Sequence, residues 1–317
     1  MPKKYLIISL CVALGMLLLA GFSVWYAKIR SGLNRRGEYV FMQTRQKAVL
    51  LQQIKLTTEA TGEIHIYDNN GEWRVKEAAD YFADAKQLAA FYKMINNSVI
   101  IAVDEVSKSK LAAYGLDDEQ KTLVETFDAE GNLLDSVTLG GGYADGEYRF
   151  AQLKGYPYIY TISEVGEFSG EAGAWMPFPL LEISADQVVG ITISDRTFTL
   201  QEMPTALAKS KKFREFSAAL LYVDYNGIAL KKDFEDDFSK IEPRKIAVET
   251  EVGLVYNLSI YKIADDDYWL AVKLSTSRMP LKEVVPFVKN NQKYFADWVF
   301  NLNSGQGKIL YDFNFVN

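Results

Sequence analysis

The sequence predicts an α+β protein: an N-terminal transmembrane helix, then two antiparallel-sheet-plus-helix modules related as a diverged tandem repeat. Three observations predict it. A long uncharged apolar run opens the chain. Beyond it, short segments alternate apolar and polar residues between turn signals, the pattern of half-buried strands. The order hairpin, helix, antiparallel strands then occurs twice, with Ile54 and Ile191, and Leu123 and Leu258, separated by nearly the same offset. The expected boundaries are 1–30 for the anchor, 31–48 for a polar connector, 49–185 for the first module and 186–317 for the second.

The anchor is the 23-residue stretch Tyr5–Ala27, which contains no charged residue. At about 1.5 Å per residue a helix of this length covers the roughly 30 Å hydrocarbon core of a bilayer. Lys3 and Lys4 flank one end, and Lys28 and Arg30 the other; Trp25 and Tyr26 stand where an interfacial aromatic belt belongs. A cleaved signal peptide would need a shorter apolar run and a small-x-small site, whereas this run ends Gly21-Phe22-Ser23-Val24-Trp25. Cys11 lies inside the run, as a small apolar side chain rather than a lipidation site. Lys3, Lys4 and the amino terminus on one flank nearly balance Lys28, Arg30, Arg35 and Arg36 on the other and slightly favour a cytoplasmic body, so they do not settle the orientation.

In the first module, Ile54–Thr57 and Glu63–Tyr67 alternate as strands, Asp68-Asn69-Asn70-Gly71 forms a hairpin turn, and Glu72–Val75 returns. Asp84 opens a helix whose apolar face is Leu88, Phe91, Tyr92 and Ile95. Val99–Ile101 is a short strand, and Ser107–Tyr114 a short helix stopped by Gly115. Thr122–Asp128, Leu133–Gly140, Tyr148–Leu153 and Tyr158–Ile162 follow as antiparallel strands, and the Gly- and Pro-containing stretch 163–182 reads as loop. In the second module, Val188–Ile193 and Phe198–Leu200 form a hairpin. A helix at Lys209–Leu221 presents Phe213, Phe216 and Leu220. Strands follow at Lys245–Thr250, Leu254–Ile263 and Tyr268–Leu274, then a helix from Leu281 reaching Asn290 or Phe300, and a last strand at Tyr311–Val316.

Charge narrows the partners. The chain has 35 basic and 41 acidic residues, for a net charge of −6. Six of the basic residues and none of the acidic ones fall in 1–36, so 37–317 carries 29 against 41, or −12. Such a body repels phosphate backbones and anionic lipid, so no nucleic-acid partner is expected, and the body is not expected to lie flat on a membrane. One Cys and one His are too few for a thiol zinc site or a His cluster.

The remaining candidates for chemistry have plainer readings. His65 alternates with Ile64 and Ile66 in a strand and has no carboxylate motif beside it. Asp265-Asp266-Asp267 lacks the spacing of a calcium loop and reads as a solvated turn; Asp233, Glu235, Asp236 and Asp237 read as a solvated face. Gly140-Gly141-Gly142 ends a strand without opening a helix, unlike a phosphate loop. Ser169 sits in Gly-Glu-Phe-Ser-Gly, which is not a nucleophile elbow. No catalytic residue, cofactor or metal is therefore expected. Aromatic residues cluster instead: Tyr156, Tyr158 and Tyr160, then Trp175 and Phe178. Most such side chains fill cores, but Tyr and Trp also favour interface centres, so these five are the candidate partner-binding aromatics.

Several motifs run in the order of a bacterial membrane-anchored family, domain-of-unknown-function family 4340. Gly71-Glu72-Trp73-Arg74-Val75 resembles its turn-then-Trp strand, Ala83-Asp84 its helix start, and Tyr114-Gly115-Leu116-Asp117 its Tyr-Gly-Leu-Asp signature. Leu139-Gly140 resembles its strand-ending Gly, and Tyr148 with Ile159-Tyr160 its late strands. The resemblance covers 54–162, and 186–302 looks like a weaker second copy with Trp298 near its end. Asp118-Glu119-Gln120 and Phe82 stand where the family usually has Pro. The resemblance implies a non-enzymatic accessory or adaptor protein of the cytoplasmic membrane. Its body would be extracytoplasmic, and its partners the permease or ATPase subunits of a gliding-motility-type ABC transporter. An extracytoplasmic ligand-binding module is the alternative, with a carboxylate-dependent hydrolase a more distant third.

Overall fold

The computed structural model describes residues 14, 16–24, 26–27, 32–105, 108–142, 147–163, 166, 168–194, 196–199 and 205–314. Residues 16–24, 26 and 27 are helical with exposed side chains. Lys3, Lys4, Cys11, Trp25, Lys28 and Arg30 lie outside the described residues, as does much of the expected transmembrane run Tyr5–Ala27. Among the described residues, no helix is long and apolar enough to cross a membrane.

The body is α+β and its sheets are antiparallel. Its strands are β1 Gln53–Thr58, β2 Gly62–Asn69, β3 Glu72–Val75, β4 Tyr81–Phe82, β5 Ile100–Asp104, β6 Thr122–Phe127, β7 Leu133–Gly142, β8 Tyr148–Leu153 and β9 Ile159–Ser163. They continue with β10 Leu181–Glu182, β11 Val188–Ile193, β12 Arg196–Thr199, β13 Tyr222–Val223, β14 Gly227–Leu230, β15 Arg244–Thr250, β16 Leu254–Ala264, β17 Asp267–Thr276 and β18 Trp298–Asn301. The helices that matter here are α1 Met42–Gln46, α2 Ala85–Asn97, α3 Lys211–Leu221, α4 Val284–Asn291 and α5 Ser304–Asp312.

The chain divides into two units, and not at a single point. The first holds residues up to Gly71 together with Lys86–Glu171; the second holds Glu72–Ala85 and Ala172–Asn317. The short β3–β4 hairpin, which the sequence assigns to the first module, is thus built into the second unit.

Within the first unit the strand order is β2-β1-β6-β7-β8-β9-β5. Alternation sets the faces: Ile54 and Leu56 of β1, Ile64 and Ile66 of β2 and Val124 of β6 all point inward and are buried. Helix α2 adds Leu88, Phe91, Met94 and Ile95 to that core. Tyr92, expected on the apolar face, is only half-buried, and Met94 takes its place. The stretch Lys108–Tyr114 is 3-10 rather than α-helical; Gly115 ends it at φ +62°, and the expected start at Ser107 lies outside the described residues.

The second unit contains a seven-stranded sheet in the order β12-β11-β15-β16-β17-β18-β14. Both units therefore wind alike: a hairpin, a helix, an edge strand, then strands that fill the space between. By sheet position β15 corresponds to β6, whereas the regular sequence offset pairs Leu123 of β6 with Leu258 of β16. The spacing fails because the segments before β6 and β15 differ in length.

Two expectations for the C-terminal part are corrected. Residues 298–301 do not extend the preceding helix; they form β18, paired with β14 through Leu230↔Trp298 and with β17 through Leu270↔Phe300. Trp-Val-Phe suits a buried strand, and all three side chains are buried there. Tyr311 does not open a strand, because α5 runs to Asp312. The Asn303 side chain caps α5 by accepting from the Gly305 amide at 3.0 Å, and Gly307 packs against the Tyr268 ring, where a Cβ would lie 2.5 Å from ring carbon. Val316 lies outside the described residues.

Candidate functional site

The segment expected as a polar connector, 31–48, is folded onto the first unit from Gly32 onward. Its Tyr39-Val40-Phe41 triplet is the cause, since Val40 and Phe41 bury completely. Once the triplet is buried, its backbone must find partners, and it finds them at the edge strand β5. The Gly37 amide donates to the Ile100 carbonyl at 2.7 Å and the Ile100 amide to Glu38 at 2.9 Å. The Val40 amide donates to Ser98 at 3.0 Å. Tyr39 and Val99 form an antiparallel bridge. The resulting strap pairs with the start of that edge, at residues 98–100, where backbone groups would otherwise be left without partners.

The strap is clamped at both ends. At its start, Gly32 sits against Tyr156 and Tyr158; a Cβ there would lie 2.8–2.9 Å from their ring carbons. The Tyr160 hydroxyl donates to the Gly32 carbonyl at 3.4 Å. Arg35 stacks over Tyr156, 4.9 Å from the ring centroid, and pairs with Glu38 at 2.7 Å. Burial pushes the Tyr160 phenol up to about 12, and burial also raises Tyr158.

At the far end Asp135, projecting from β7, holds α1. One carboxylate oxygen accepts from the Thr44 amide and the Thr44 hydroxyl, both at 2.7 Å, and the other from the Gln43 amide at 3.4 Å. The Thr44 hydroxyl also meets Thr126 at 2.6 Å. Asp135→Ala would strand the amide of buried Thr44 and is expected to cost about 2 kcal/mol, with Asp135→Asn costing less. Urea unfolding of the two variants checks this, and equal losses would refute the capping role. Between strap and sheet lies a cleft of about 310 Å³ whose polar lining is Arg35, Gln43, Asp135, Ser136, Lys154 and Tyr156.

Of the five candidate aromatics, Tyr158, Tyr160 and Trp175 are buried and present no surface to a partner. Tyr156 is half-buried under the strap. The three tyrosines pack against the chain's own segment at Gly32 and Arg35. Trp175 and Phe178 belong to the second unit and are not part of this site. Phe178 alone is well exposed, at 58%, with its ring 6.4 Å from those of Tyr222 and Tyr225. Sequence reasoning missed Gly32, Arg35 and Asp135; the apolar triplet at 39–41 was the one signal that could have led to them.

The Tyr-Gly-Leu-Asp signature is a packing device. Gly115 crosses Gly141 so closely that a Cβ would lie 2.5 Å from the Gly141 amide nitrogen, and a Cβ on Gly140 would lie 2.4 Å from the Tyr114 carbonyl oxygen. The Tyr114 ring meets Phe150 edge-on at 4.6 Å, and Arg149 donates to the Gly140 carbonyl at 2.5 Å. The Gly-rich strand end thus receives backbone rather than phosphate.

In the second unit, Arg74 of the β3–β4 hairpin stacks 3.8 Å from the Phe82 centroid and 5.4 Å from that of Trp298. Trp298 donates to the Ala79 carbonyl at 2.9 Å, and Ala79 and Asp80 hold left-handed φ values of +53° and +57°. Glu72 bonds Lys293 and, at 2.8 Å, Arg74. The Lys293 hydrogen bond, then that of Arg74, holds Glu72 below its ordinary 4.5. A lowered carboxylate pKa adds stability above the unfolded value, and that stability is lost as pH falls through the folded one. The melting deficit of Glu72→Gln is therefore expected at pH 7 and should shrink below pH 4.5. A deficit unchanged at pH 3 would assign it to packing instead.

Other polar candidates have structural partners. His65 Nε2 lies 3.0 Å from Glu63. The Ser169 hydroxyl accepts from the Glu171 amide at 3.0 Å. Asp265 pairs with Lys262, and Asp267 accepts from Asn301 at 2.8 Å. Among the described residues, no group of three His, Cys, Asp or Glu could hold a metal ion.

The family model described as Domain of unknown function (DUF4340) matches residues 73–234, just over half of the chain. The chain belongs to this family. The DUF4340 match differs in extent from the motif resemblance over 54–162. It leaves out the β1–β2 hairpin, opens at Trp73 beside the Arg74 cluster, and runs past β14 in the second unit. The signature at 114–117 and the strand end at Gly140 both fall inside it. No curated protein and no solved structure matches the chain.

Proposed function

We propose that this DUF4340 protein is a single-pass, non-enzymatic accessory protein of the cytoplasmic membrane, anchored through Tyr5–Ala27 with its body outside the cytoplasm. Its partner would be a permease or ATPase subunit of an ABC-type transport system. The observation that carries the reading is the strap. The uncharged run ends at Ala27, and Gly32 is already held against Tyr156 and Tyr158. At no more than about 3.6 Å per residue, those five steps span at most about 18 Å. An anchor at 5–27 would therefore hold the first unit close to the bilayer rather than on a loose tether, as suits a subunit working beside a membrane complex. The transporter assignment rests on the motif resemblance. The shared strand order of the two units supports descent from one duplicated module.

The test is purification of the tagged full-length chain from its native membrane in mild detergent, with the co-eluting proteins identified. A stoichiometric permease or ATPase is expected. Elution alone in every mild detergent would sink the adaptor reading and turn attention to the second one, an extracytoplasmic ligand-binding module. That alternative is favoured by the 310 Å³ cleft under the strap. A thermal-shift screen of sugars, peptides and lipids, repeated on Tyr156→Ala, would test it.

A further inference from the structure

The second unit carries an apolar tip that packing does not explain. The expected helix from Leu281 forms as α4, and only Val284 of its first turn turns inward. Met279 is 91% exposed, Leu281 49% and Val285 54%, with Phe287 exposed beside them. Four large apolar side chains within nine residues of sequence are more than scattered surface hydrophobics.

The tip is held in place by its base. Gly253 at φ +84° receives Pro280, whose Cα would lie 2.6 Å from a Cβ at that glycine. The Ser277 amide donates to Gly253 at 2.9 Å, and the Leu281 amide to Val252 at 3.0 Å. The far end of α4 is fixed through Gln292, whose side chain accepts from the Leu274 amide at 2.7 Å. The apolar side chains therefore stand out from an ordered backbone.

Charge identifies what would cover them. Arg278, Lys282 and Lys289 are exposed and interleave with the apolar residues, against the single acidic Glu283. These three cations make no ion pair among the described residues. This positive segment stands in a region, 37–317, whose net charge is −12. Apolar side chains ringed by long cationic ones are suited to the headgroup layer of an anionic bilayer. There the apolar groups reach the acyl boundary and the cations snorkel to phosphates.

We propose that the 278–289 tip inserts shallowly into an anionic lipid surface, making a second membrane contact besides the anchor. The acidic remainder of the body is repelled by the same surface, which confines the contact to the tip. The inference goes beyond the accessory-protein reading and rests on it only for tethering the chain to a bilayer.

The test uses the full-length chain carrying Cys11→Ala and Val285→Cys, labelled with an environment-sensitive fluorophore. It is reconstituted into phosphatidylcholine vesicles with and without phosphatidylglycerol. A label at Glu130→Cys, in the β6–β7 turn, is the aqueous control. In the anionic vesicles, the Val285 label is expected to shift to the blue and be quenched by shallow spin-labelled lipid, while the control does neither. Neutralisation of Arg278, Lys282 and Lys289 to Gln is expected to lower tip occupancy by about fivefold per cation lost, because one basic residue near an anionic surface is worth about that factor. An emission equal to that in detergent, in both vesicle types, would overturn the proposal. So would shielding that arises only when native membrane protein is added, since the occupant would then be a protein. Flotation with pure phosphatidylcholine vesicles after a carbonate wash reports the anchor separately. A chain that fails to float there but still inserts its tip into anionic vesicles would remove the anchor reading and keep this one.

Discussion

Gly115→Val is expected to destabilise the first unit by more than about 3 kcal/mol, a large share of the roughly 5–15 kcal/mol that holds a domain folded. Two independent costs add. The residue holds φ +62°, a left-handed conformation that a β-branched side chain resists by about 1–2 kcal/mol. Its Cβ would also lie 2.5 Å from the Gly141 nitrogen and 3.0 Å from the Gly141 Cα, and these are backbone atoms of β7 rather than the flexible end of a side chain. Gly131→Val separates the two terms. Gly131 has φ +79° but nothing within 4 Å of its Cβ position, so its variant bears strain without overlap. Thermal unfolding should place Gly115→Val lowest, Gly131→Val between, and wild type highest. Equal losses at the two glycines would show that the crossing at Gly141 relaxes, and that the signature glycine serves the turn alone.

Phe41→Ala is expected to cost about 3–5 kcal/mol, the usual loss for emptying a buried phenyl site. Its effect should be local as well as global. Phe41 is fully buried and lies one residue beyond the Val40 bond to Ser98, so its loss should free the strap from β5 before the rest of the unit opens. Hydrogen exchange should show Gly37 and Val40 losing protection while the β6 and β7 amides keep theirs. Val49→Ala, at a side chain 92% exposed, is the matched control and should stay within about 0.5 kcal/mol of wild type. If Phe41→Ala behaved like Val49→Ala, the strap would not belong to the core.

Much of this architecture is legible residue by residue. Alternation locates β1, β2, β6, β7 and the long β16–β17 hairpin within a residue or two, because one face of each strand is buried and period two is then enforced. Phe213, Phe216 and Leu220 mark the inward face of α3, and all three are buried. The errors fall where local pattern is weak. The four-residue strand β14 has no alternation long enough to read, since all its side chains are half-buried. Trp298-Val299-Phe300 is a continuous apolar run, which serves a helix or a buried strand equally until pairing with β14 and β17 decides.

The aromatic cluster shows why the candidate site was only half legible. Tyr156 and Tyr158 lie against Gly32 of the chain's own preceding segment rather than in an open patch, because exposure is a property of the folded surface. Composition cannot say whether such a patch faces a partner or the chain's own preceding segment. The apolar tip at 279–287 is the converse, since residues that read as core stand in solvent.

The sequence by itself determined the α+β class, the hairpin–helix–strands order in each half, the basic character of 1–36 against the acidic 37–317, and the glycines at 115 and 140. All of these follow from short-range periodicity, charge count or backbone freedom. Tertiary structure alone decided that Glu72–Ala85 belongs to the second unit, that residues 32–46 strap the first, and which aromatic and apolar side chains are covered. Those outcomes depend on which distant surfaces meet. Burial free energy scales with area removed from water wherever along the chain that area comes from, so local pattern carries no record of it.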